Sequence, residues 1–123
     1  MVNLTEFFGP LSPLDKLLNG FQPRQGQASM AEEVAYAIKE DQHLVVEAGT
    51  GIGKTFAYLV PAMLSERKVI ISTGTKTLQD QLYHRDLPLI SKAIGRPILT
   101  ALLKGRSNYL CLNRLNLASS NDR

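Results

Sequence analysis

One cysteine, Cys111, in a chain of 123 residues excludes an intrachain disulfide framework and fits a reducing compartment. No apolar run approaches the roughly 18 residues that a membrane span requires, and no secretory apolar core stands near the N-terminus. Cytosol is therefore the default expectation, with no membrane partner. Internal repeats and low-complexity tracts are lacking as well. Disorder is excluded from the opposite side. At 44% hydrophobic, the chain can bury a core, and its length is about one domain's worth.

Acidic residues are scarce in one half only. Residues 1–61 hold four Lys/Arg against seven Asp/Glu, whereas residues 62–123 hold ten against four, within a net charge of +3. A basic C-terminal half suits a polyanion on that side, although a solvated surface with spare lysines has the same count.

What is present is concentrated at Ala48-Gly49-Thr50-Gly51-Ile52-Gly53-Lys54-Thr55. The run follows apolar Leu44-Val45-Val46 and opens onto Phe56-Ala57-Tyr58-Leu59-Val60, so a strand, a glycine-rich turn and a helix follow in order. That context is the one a phosphate-binding P-loop requires. Glycines 49, 51 and 53 leave the backbone free to turn successive N–H groups toward one anion. The helix from Lys54 adds the positive end of its dipole. Lys54 supplies a cation for the β- and γ-phosphates, and Thr55 a hydroxyl for Mg²⁺; these two are the candidate catalytic residues. Ala48 stands where the usual pattern has Gly, which narrows the loop type without removing the cradle. A dinucleotide fingerprint has no place for Lys54-Thr55, and the next strand leads into Ser72-Thr73-Gly74-Thr75 rather than to an acid.

Coarse patterning places the loop in a parallel α/β sheet. Ser12 and Pro13 open a short helix that Gly20 ends. Pro23 opens a second, longer helix with Met30, Val34, Ala37 and Ile38 on one face. The helix from Lys54 runs to about Ser65. Lys68–Ser72 reads as a short buried strand, Thr77–Arg85 as a helix, Pro88 as an early residue of a helical stretch ending at Gly95, and Ile98–Leu103 as a third strand. Strand, helix, strand, helix, strand implies a parallel sheet with covering helices. After Thr55 the only acids are Glu66, Asp80, Asp86 and Asp122, and none closes an apolar strand run. Triphosphate hydrolysis needs an acid at a strand end for the Mg²⁺ shell and a group to orient water. Glu47 lies on the loop's own strand and is not the acid sought. The expectation is a truncated α/β domain that binds triphosphate and hydrolyses it poorly.

Four segments in order then resemble one family: Phe21-Gln22-Pro23-Arg24-Gln25-Gly26-Gln27, Glu47 to Thr55, Ile71 to Leu82, and Leu103-Lys104-Gly105-Arg106-Ser107-Asn108-Tyr109-Leu110-Cys111. Together they are similar to the N-terminus of XPD/DinG-type superfamily 2 DNA helicases, within these to the bacterial YoaA-like branch, from about Gly9 to Leu115. The resemblance implies a partial RecA-like domain. Residues 1–20 would form an N-terminal segment with a short helix. Residues 21–123 would be the N-terminal part of the ATP-binding domain, ending where an iron–sulfur insertion begins. It implies a parent enzyme that couples ATP hydrolysis to 5′→3′ unwinding of single-stranded or forked DNA and carries a [4Fe–4S] cluster.

Residue by residue, the resemblance assigns Arg24 and Gln27 to adenine recognition, with Ala48 to Thr55 (Thr50, Gly51 and Ile52 included) as the phosphate loop. In this family the loop itself begins with Ala, and Ile52 replaces the more usual Thr. Thr73, Thr75 and Lys76 match the motif that touches the single strand's backbone, and Lys104 and Arg106 extend the basic side. Cys111 matches the first of four cluster ligands. Each has an ordinary alternative: Gln27 an exposed helix residue, Thr75 a helix cap, Lys104 and Arg106 a solvated loop, Cys111 a small buried hydrophobe. His43 and His84 have no ligand-spaced partners. Two other functions stay open at this point: a P-loop enzyme such as a small-molecule kinase, and a stand-alone ATP-binding module without catalysis.

Overall fold

The computed structural model describes residues 3–18, 21–49 and 53–121. The expected end of the second helix, Gly20, and the loop residues Thr50, Gly51 and Ile52 lie outside the described residues, as does Asp122.

Helices form where local chemistry starts and stops them. Helix α1 (Leu4–Phe7) is capped by the Asn3 side chain, which accepts from Thr5 N. Helix α2 (Pro13–Leu17) follows Ser12, whose hydroxyl accepts from Asp15 N at 3.1 Å, with Pro13 in the first turn where no N–H is needed. The N-terminal segment thus holds two short helices. Both bury side chains (Phe7, Phe8 and Leu14) in the same core as the rest. Helix α3 (Gln25–Lys39) buries Ala31 and half-buries Met30, Val34, Ala37 and Ile38, the face expected from their spacing. Helix α4 (Lys54–Leu64) is almost wholly apolar and buries Ala57, Leu59, Val60, Pro61 and Ala62, so it is the central element of the core.

Helix α5 (Lys76–Gln81) starts at Thr75, whose Oγ1 accepts from Leu78 N at 3.2 Å. It runs without a break into a π-helical turn (Leu82–Asp86) and then α6 (Leu87–Ile94). Pro88 explains the wide turn: it has no N–H for the preceding turn and its ring crowds the carbonyl there, so the helix loosens just ahead of it. Gly95 closes α6 with φ 78°, and both Gly95 N and Arg96 N reach the Ser91 carbonyl. A single 3₁₀ turn (Arg106–Asn108) and helix α7 (Leu112–Asn121) complete the chain.

The expected parallel sheet is not seen among the described residues. Among the described residues there is no strand, and no backbone hydrogen bond joins residues 44–49, 68–73 and 97–103. These three segments form neither helix nor strand, and they are not the buried strands expected: Val45, Ile70 and Leu99 stand fully in solvent. A parallel ladder closes only between strands about 4.8 Å apart; residues 69–73 and 97–103 instead line one cavity of about 750 Å³ together with Leu59, Ala62, Met63 and Leu82. A second cleft lies between residues 41–43 and 67–70. Helices cover one side of these segments, and their other side is bare.

Candidate functional site: the glycine-rich loop and its neighbours

Gly53 is the hinge of the site. It takes the left-handed conformation (φ 78°, ψ 40°) as the residue that caps α4, which aims the helix N-terminus into the loop. Only glycine adopts that conformation without strain. Its carbonyl is shared: Ala57 N donates to it within the helix at 3.3 Å, and Gln27 Nε2 donates to it from α3 at 3.1 Å. A Cβ on Gly53 would sit 2.1 Å from that Gln27 nitrogen. Gln27 is therefore no exposed helix residue; it is 3% exposed, and its Oε1 is buried without a hydrogen-bond partner among the described residues. One N–H of the amide holds the loop, and Oε1 is the acceptor left unpartnered. Arg24, one turn earlier at the cap of α3, is exposed.

Lys54 folds over the loop, with Nζ donating to the carbonyls of Ala48 at 2.8 Å and Gly49 at 3.3 Å. The ammonium is thereby held at the loop mouth beside the α4 N-terminus, so two sources of positive potential coincide. A triphosphate fits these residues, because the cation, the dipole end and the left-handed glycine converge; the unpartnered Gln27 Oε1 could accept only from a donor such as a base amino group. Thr55 begins the second position of α4 and its side chain neighbours the Tyr58 phenol, one turn on. Burial pushes the Tyr58 pKa up, the Thr55 hydroxyl pulls it down, and the carboxylate of Asp86 raises it again. Nothing in the loop motif pointed to Tyr58. A spacing of three residues on one helix was the available signal.

The carboxylates after the loop are committed elsewhere. Glu66 pairs with Arg96, Asp80 with Lys104, and the buried Asp86 with Arg85. Among the described residues none is left to complete a Mg²⁺ shell, and no three His, Cys, Asp or Glu side chains gather into a metal-binding group.

The candidate DNA-facing residues divide. Thr75 caps α5, Thr73 Oγ1 lies 3.4 Å from the Thr75 carbonyl, and Lys76 is exposed at the helix start. Arg106 is exposed in the 3₁₀ turn. Lys104 is not a solvated loop lysine, because its Nζ is 3.1 Å from Asp80 Oδ1 and it is half-buried. Cys111 is exposed, not buried as a lone cysteine would be, and its carbonyl accepts from Leu115 N at the start of α7.

A sequence profile described as DEAD/DEAH box helicase matches residues 25–119, which hold α3 to α6 and most of α7. The chain belongs to the DEAD/DEAH box helicase family. It is 60% identical over 112 residues to the ATP-dependent DNA helicase YoaA of Escherichia coli (strain K12), covering 91% of this chain and 18% of that protein. It is 50% identical over 101 residues to the ATP-dependent helicase DinG of Mycobacterium tuberculosis (strain ATCC 25177 / H37Ra), covering 76% and 15%. It is also 45% identical over 103 residues to the protein named 3'-5' exonuclease DinG in Bacillus subtilis (strain 168), covering 80% and 11%. The chain thus spans less than a fifth of the length of these relatives. No solved structure matches it. No helix among the described residues is long and apolar enough to cross a membrane.

Proposed function

We propose that this chain is the nucleotide-holding N-terminal part of an ATP-dependent DNA helicase. The observation that carries the reading is the convergence on one spot of the Gly53 hinge, the Lys54 ammonium and the α4 N-terminus, inside a helicase-family segment. Ala48 to Lys54, Thr50, Gly51 and Ile52 among them, cradle the β- and γ-phosphates through backbone N–H groups. Lys54 would neutralise charge on the phosphates, and the Thr55 hydroxyl would hold a Mg²⁺ ion, which would supply Lewis-acid stabilisation there. Gln27 meets the adenine edge through its free Oε1, and Arg24 covers the same side. Bound ATP supplies the free energy of phosphoryl transfer. The chain's own residues bind and orient the nucleotide, and the described carboxylates that follow the loop, Glu66, Asp80 and Asp86, are each paired with a basic side chain.

Thr73, Thr75, Lys76 and Arg106 face a single-stranded or forked DNA backbone, tracked 5′→3′ by the complete enzyme. Segments 44–49, 68–73 and 97–103 become strands of a RecA-like parallel sheet when further polypeptide fills the two clefts between them. Cys111 offers one of the four thiolates that a [4Fe–4S] cluster takes, and the others must come from elsewhere.

Salt-dependent binding of an oligo-dT strand tests the reading. Each phosphate contact contributes about −0.7 to the slope of log affinity against log salt for a single strand. A negative slope is expected. A chain that binds nucleotide but no DNA at low salt would refute the assignment of DNA contacts to Thr73, Thr75, Lys76 and Arg106.

A further inference from the structure

Two contacts tie the segment before Cys111 to helix α5, and a third braces the segment itself. Gln79 Nε2 donates to the Leu103 carbonyl at 3.0 Å, Lys104 Nζ meets Asp80 Oδ1 at 3.1 Å, and the backbone N of Lys104 donates to the Tyr109 hydroxyl at 2.9 Å. The first two join residues 24 apart in sequence. The third folds the loop back over Gly105-Arg106-Ser107-Asn108, so that the Lys104 backbone and side chain are both held. The side chain is 29% exposed, less than that of Asp80 at 50%. A lysine placed only to meet a phosphate would project into solvent, as Lys76 does.

We propose that Lys104 is a positioning residue and not a phosphate contact. With Gln79, Asp80 and Tyr109 it forms a clasp that fixes the arm bearing Arg106 and Cys111 against α5. The Thr73–Lys76 turn and Arg106 then share one rigid frame, and their separation does not depend on a sheet. The clasp itself stands on the geometry above. Its use in aligning two stretches along one strand of DNA rests on the proposed function.

Limited trypsin digestion of the full chain reads the clasp directly, because cleavage after Arg106 tracks the population in which the arm has opened. Asp80→Asn should speed that cleavage about threefold, the change that an exposed ion pair of ordinary strength makes in an opening equilibrium. Gln79→Ala should act in the same direction. Helix content by circular dichroism should stay the same. The reversed pair Asp80→Lys with Lys104→Asp should restore protection, which a general loss of stability would not allow. Unchanged cleavage in Asp80→Asn, or no restoration in the reversed pair, overturns the clasp. Oligo-dT binding supplies a second reading. The clasp predicts that Asp80→Asn weakens binding, whereas a phosphate-contacting Lys104 freed from its acid would bind more tightly, and that gain would overturn the proposal. Failure of the unaltered chain to bind oligo-dT strikes the assignment of DNA contacts alone, and the digestion then decides this inference by itself.

Discussion

Replacing Gly53 with alanine strikes the junction of loop, helix and Gln27 at once. Holding a residue with a Cβ in the left-handed conformation costs roughly 1–2 kcal/mol. The new methyl would also lie 2.1 Å from Gln27 Nε2, so the amide must move. On the surface a glutamine tip swings into water at little cost, but this one is 3% exposed and already has an unpartnered Oε1. Displacing it breaks the 3.1 Å bond to the Gly53 carbonyl and leaves a buried amide with neither half satisfied, a further loss of about 1–3 kcal/mol. Gly53→Ala should therefore destabilise by about 3 kcal/mol in all. In a Gln27→Ala background the clash is gone, and the same change should cost only the conformational part, about 1–2 kcal/mol. Urea unfolding of the four proteins of this double-mutant cycle, followed by circular dichroism, measures the difference. Equal costs in the two backgrounds would refute the contact between α3 and the loop as the source of the effect.

Three further outcomes follow from the same geometry. Thr75→Ala removes the cap of α5 and should cost about 1 kcal/mol in the same unfolding assay, with Thr75→Ser recovering most of it. Tyr58 has its pKa raised above 10.0, chiefly by burial. The unfolded chain therefore releases that proton first as pH rises through about 10; stability should be complete below that pH and decline above it, and Tyr58→Phe should flatten the decline. The purified chain should be colourless and iron-free, since Cys111 is its single cysteine; stoichiometric iron by elemental analysis would mean that copies share a cluster.

Local signals in the sequence were read correctly, and pairings across the chain were not visible in it. Ser12 and Pro13 announce α2, Gly95 marks the end of α6, and Gly53-Lys54 mark the start of α4, because a cap or a left-handed glycine acts within one turn. The face of α3 follows from a 3.6-residue period. The apolar, β-branched runs at 44–49, 68–73 and 97–103 were equally legible, but a sheet is a relation between segments. No residue pattern says that the neighbours lie across a cavity instead of side by side. The π-helical turn before Pro88 combines two rules that pull apart, a continuing apolar period and a missing donor. In the site, the loop residues were found by spacing. The burial of Gln27, the Tyr58 neighbour of Thr55 and the Lys104–Asp80 pair arise from packing between elements, on which spacing is silent.

The central claim is that Lys54 and its loop hold a nucleoside triphosphate. Titration of a fluorescent ATP analogue into the unaltered chain and into Lys54→Ala, with Mg²⁺ and with helix content checked in both, tests it most directly. Saturable binding that is abolished by the substitution, in a protein of unchanged helicity, is the predicted result. Binding of the same strength in Lys54→Ala would contradict the claim.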